Sequence, residues 1–190
     1  TTVDGSSAPV AMMHRTDTVR VAETADMQVV ELPYGGGAFA MTILLPKPGG
    51  SIAATVASLS SDAWQSTAAA AIPQKVDLYM PKFSLRWDAL LNDPLQSLGM
   101  RLAFQGDVAD FTRMSRAAGN ELYISKVKQK AFVDVHEEGT EAAAATSVEI
   151  SVTCTCGPPV IRIDRPFVFA IRERLSGTIL FLGKIVRPPA

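Results

Sequence analysis

A chain of 190 residues with 47% hydrophobic and 19% charged side chains holds enough apolar material for one domain with a sizeable core, which excludes a disordered chain. A formal net charge of −1, with both signs interspersed, leaves no electrostatic footprint for nucleic acid or an anionic membrane. The longest apolar runs, such as FAMTILLP and TILFLG, are of strand length and fall well short of the roughly 20 residues a membrane span requires.

The first residues, TTVDGSSAPV, carry neither an initiator Met nor a charged-then-apolar leader, and so suggest a processing product or a truncation. RVAETA, MQVVELPYGGG and AFAMTILLPKPGG read as successive strands of a meander, with Gly35-Gly36-Gly37 as a tight connection and residues 46–50 as the stop. In SIAATVASLSSDAWQSTAAAAIP, the serines at Ser51 and at Ser60-Ser61 can each cap a short helix, and Pro73 ends the second.

KVDLYMPKFSLRWDAL alternates Val76, Leu78 and Met80 with Asp77, Tyr79 and Pro81, which predicts a strand that bends at the proline and continues through Phe83 and Leu85. DPLQSLGM is a short helix, with Pro94 in its first turn and Gly99 past its end. In ELYISKVKQKAFVDVHEEG, Val127, Ala131, Val133 and Val135 share one face with Gln129, whose amide would need partners if buried. Lys126, Lys128 and Lys130 lie on the other face with Asp134 and His136, as a solvated strand surface does. The tail gives an extended segment, a strand after Pro166, a turn at Ser176-Gly177 and a closing strand. VFAI and ILFLGKIV are nearly continuous apolar runs, as expected of strands buried on both faces.

Between these runs lies EEGTEAAAATSVEISVTCTCGPP, residues 137–159. Taken by twos, Thr140, Ala142, Ala144, Thr146, Val148, Ile150 and Val152 form one face, while Glu141 and Glu149 both fall on the other. Alanine favours helix, but helical periodicity would set Glu141 and Glu149 near Val148 and Ile150 without a clean apolar stripe. The alternation is that of a strand able to enter a sheet with no charge inside, through a gap that admits small side chains at 140–146.

Cys154 and Cys156, two residues apart, are too close for an unstrained disulfide and lack the second pair a zinc site needs, so they read as free thiols. His136 beside Glu137 and Glu138 invites a metal or catalytic role. There is no H-E-x-x-H spacing, no G-x-S-x-G elbow and no histidine other than His14, so the expectation is a non-enzyme with no metal and no cofactor.

EEGTEAAAAT resembles the hinge of the reactive-centre loop of inhibitory serpins, of a prokaryotic-looking type, and DRPFVFAIRERLSGTILFLGKIVRP resembles the C-terminal signature of the family. VELPYGGGAFAMTILLPK, LYMPKF and ADFTRMS extend the similarity over nearly the whole chain, which then corresponds to the C-terminal half of a serpin. The resemblance implies an α+β serpin fold, mostly antiparallel β-sheet with a few short helices. It implies that residues 1–190 are the C-terminal portion of one domain, that residues 137–159 are the reactive-centre loop, and that an N-terminal half is needed to complete the fold.

The resemblance also implies a suicide-substrate mechanism, in which a serine protease attacks the loop and the freed hinge inserts as a strand in the central sheet. The hinge is then Glu137, Glu138, Gly139, Thr140, Glu141, Ala142, Ala143, Ala144, Ala145 and Thr146, with Gln129 a candidate for control of sheet opening. By the family's spacing from Gly139 the scissile bond is Thr153–Cys154, with Cys154–Thr155 the alternative. Ile150, Val152 and Thr153, with no Arg or Lys between Gly139 and Arg162, suit an elastase-like or subtilisin-like protease. A carrier or chaperone role, or inhibition of a cysteine protease, is the alternative function. The family implies a secreted or cell-envelope location.

Overall fold

The computed structural model describes residues 9–115, 121–137 and 157–187, and these form two compact units, one of residues 9–83, 135–137 and 157–187 and one of residues 84–115 and 121–134. The first is built on a seven-stranded sheet in the order β7-β4-β1-β2-β3-β8-β9. Its strands are β1 (Met12–Glu23), β2 (Met27–Tyr34), β3 (Phe39–Pro46), β4 (Ile72–Pro81), β7 (Val160–Arg162), β8 (Phe167–Glu173) and β9 (Ile179–Ile185). Every pair is antiparallel except β4 with β7. The expected meander is therefore present, and β4 returns to pair with β1 over ten residues, from Met12↔Pro81 to Val21↔Ile72.

Glycine makes the β2–β3 hairpin possible. Gly35, Gly36 and Gly37 all have positive φ (54°, 65° and 92°), a run that side chains with a Cβ would strain, and the turn brings Tyr34 opposite Phe39. The helices α1 (Ile52–Ala57) and α2 (Ser61–Ala70) start where the serines predict: Ser51 Oγ accepts from the Ala53 N–H, and Ser60 Oγ accepts from the Ala63 N–H. The second helix ends at Ala70, before Pro73, which already belongs to β4. Ile52, Leu59 and Trp64 pack on a cluster of Ala22, Val29, Leu44, Ala71 and Val168 on one sheet face. On the other, Phe83 meets the rings of Phe167 and Phe169 at 5.9 and 5.5 Å.

The helix-side face also carries a buried ion cluster. Glu31 on β2 is 2% exposed and accepts from Nη2 of the buried Arg172, whose Nε donates to Thr42 Oγ1. Arg174 Nε lies 3.3 Å and Arg20 Nη1 3.8 Å from the same carboxylate, so strands β1, β2, β3 and β8 are tied to one charge.

The closing strand departs from expectation. Ile179, Leu180, Phe181 and Leu182 are exposed, Leu182 to 61%, because β9 is an edge strand and no described residue covers these positions. Its buried end is fixed by a close approach: a Cβ on Gly183 would stand 2.7 Å from two ring atoms of Phe169, its partner on β8.

The predicted bend at Pro81 is a change of sheet. β4 ends there and, after Lys82, β5 (Phe83–Leu90) pairs with β6 (Lys128–Val135) in a two-stranded sheet, followed in the chain by α3 (Asn92–Ser97). In the second unit Asn92 locks the approach to β6: its Nδ2 donates to Ser125 O and its Oδ1 accepts from the Val127 N–H. Lys128 and Lys130 both reach Asp88, at 3.0 and 3.6 Å, and Arg86 lies 5.1 Å over the Phe132 ring. Gln129 is exposed on β6, so its amide is not one that burial obliges to find a protein partner. Among the described residues no helix is long and apolar enough to cross a membrane.

Two substitutions test this architecture. Glu31→Ala leaves Arg172 buried without its partner and is expected to cost about 3–5 kcal/mol, read as a lower denaturation midpoint. Gly183→Ala forces the Phe169 ring to move within the core and is expected to cost about 1–3 kcal/mol by the same measurement.

Candidate functional site: the anchors of the 138–156 segment

The proposed scissile residues Thr153 and Cys154 lie outside the described residues, as do the hinge residues Glu138, Gly139, Thr140, Glu141, Ala142, Ala143, Ala144, Ala145 and Thr146. The anchors at each end of the segment are described, and strand β4 and the residue directly after it supply them. At the N-terminal end, Glu137 meets Lys82 Nζ at 2.6 Å. Lys82 follows directly on β4, and its own N–H donates to Ala11 O at 2.9 Å. At the C-terminal end, β7 runs parallel to β4 with Asp77↔Val160, Leu78↔Ile161 and Tyr79↔Arg162 in register. The Asp77 N–H donates to Pro159 O at 3.0 Å, and the Ile163 N–H donates to Tyr79 O at 2.8 Å.

From Asp77 to Lys82 is roughly 17 Å of strand at about 3.4 Å per residue. Residues 138–156 could reach about 60 Å when extended. The anchors thus hold the two ends of a segment several times longer than the gap between them.

The hydrogen bond from Lys82 is the main cause that holds the Glu137 carboxyl below the usual glutamate range, followed by a bond to its own backbone. Both side chains are largely in water, so the pair is a tether rather than a large source of stability. Ile161 and Ile163 are buried and fix the inner face of β7. On the outer face Arg162 lies over Tyr79, with Cζ 4.0 Å from the ring centroid.

Of the site residues expected from sequence, the described structure gives a partner to Glu137. Gln129 sits exposed on β6 in the second unit. Lys82, Tyr79 and Arg162 were missed, since the Lys82–Glu137 and Tyr79–Arg162 contacts join positions far apart in the chain and no local pattern marks them. Among the described residues no group of three or more His, Cys, Asp or Glu side chains could hold a metal ion.

The family model described as serpin (serine protease inhibitor) matches residues 1–188. Serpin B11 of Mus musculus is 42% identical over 97% of this chain and 48% of its own length. A serpin-like protein of Thermococcus kodakarensis, TK1782, is 37% identical over 94% of this chain and 42% of its own length. A crystal structure of native protease nexin-1 with heparin superposes with a TM-score of 0.83 at 29% identity, covering 98% of this chain and 50% of that one. The chain belongs to the serpin family and has the fold of its members. It spans about half the length of the relatives it matches.

The Glu137 tether makes a signed expectation. A carboxyl lowered by an ammonium partner keeps the pair formed above the ordinary glutamate range and loses it as pH falls through the depressed value. In Lys82→Met the Glu137 titration, followed by carboxyl NMR, is expected to move up toward the ordinary glutamate value. An unmoved titration contradicts the tether.

Proposed function

We propose that the protein to which this chain contributes inhibits serine proteases as a suicide substrate. A protease attacks the bond Thr153–Cys154 and forms an acyl-enzyme, and residues 140–153 then insert as a strand in the central sheet before deacylation. The carrying observation is the composition of that segment: along Thr140, Ala142, Ala144, Thr146, Val148, Ile150 and Val152 there is no charge, no proline and no bulky side chain before Val148. Two new ladders along these residues, at roughly 1 kcal/mol net per hydrogen bond, supply on the order of 10 kcal/mol before ordering costs. The anchoring of both flanks on and beside β4 supports a segment held outside the sheet until it is cut.

Relatives support the activity class. A protein named serine protease inhibitor from Cyanea capillata is 34% identical over 95% of this chain, and the mouse protein-Z dependent protease inhibitor has a TM-score of 0.79. Cleavage after Thr153 with Val152 and Ile150 before it fits a small, apolar specificity pocket, hence a protease of elastase-like or subtilisin-like preference. Glu137 to Thr146 act as the hinge, and the N-terminal half of the same serpin completes the sheet that receives the strand.

The full-length protein is expected to form a complex with such a protease that survives SDS. Thr140→Arg places a charge on the face to be buried, at a cost of several kcal/mol. This variant is expected to be cleaved at the wild-type rate while its stoichiometry of inhibition rises severalfold. Unchanged stoichiometry contradicts insertion by this face, and turnover of the wild type without complex at any ratio favours a carrier or a plain substrate.

A further inference from the structure

No further inference is drawn: the strongest candidate, the cavity between α2 and strands β8 and β9 lined by Trp64, Arg20, Arg172 and Arg174, restates a ligand site already established in the serpin family, and nothing in the structure shows what covers its open side.

Discussion

Strand β4 carries the load on which the rest of this structure turns. Its antiparallel ladder with β1 fixes it in the large sheet over its whole length, and from that position it holds β7 along Asp77–Tyr79 and presents Lys82 to Glu137. Both flanks of residues 138–156 therefore refer to one rigid element rather than to two that could drift apart.

The rigidity of that platform comes from the centre of the sheet. β3 and β8 are buried nearly throughout and β2 is buried at Val29, Val30 and Glu31, and their helix-side face is organised by Glu31 with three arginines around it. A buried carboxylate among guanidinium groups is weak as a source of stability but costly to break, because each partner left alone is a buried charge. The opposite face is closed by Phe83, Phe167 and Phe169, where Gly183 gives the last ring its space. The apolar residues that β9 leaves exposed accord with a chain that spans half the length of its relatives.

Much of the fold was legible because its signals are local. Gly35 to Gly37 can only be a tight turn between two apolar runs, Ser51 and Ser60 sit where helix N–H groups need an acceptor, and Pro81 marks where the chain leaves one sheet for another. Alternation places Ala131, Val133 and Val135 on one face, where they are part-buried, and leaves open whether Gln129 on the same side is covered, since periodicity gives the side of a strand and not how much of it is buried; Gln129 is exposed. A continuous apolar run such as ILFLGKIV does not by itself tell a strand buried on both faces from an edge strand, and here it is the edge strand β9. The anchors of the candidate site left no trace in the sequence pattern. Lys82 with Glu137, and Tyr79 with Arg162, are contacts between distant positions that only the pairing of β4 brings together. Family resemblance, rather than spacing, pointed to the hinge and the scissile bond, and those residues lie outside the described structure.

The central claim is that residues 140–153 form a strand waiting for a sheet, and the most direct measurement is the melting temperature of the full-length protein before and after a single cut near Thr153. A gain near 10 kcal/mol, at a few degrees per kcal/mol for a protein of this size, is expected to raise the melting temperature by tens of degrees in the nicked form. Nicked and intact proteins that melt together would contradict the account, because the cut segment would then have added no strand.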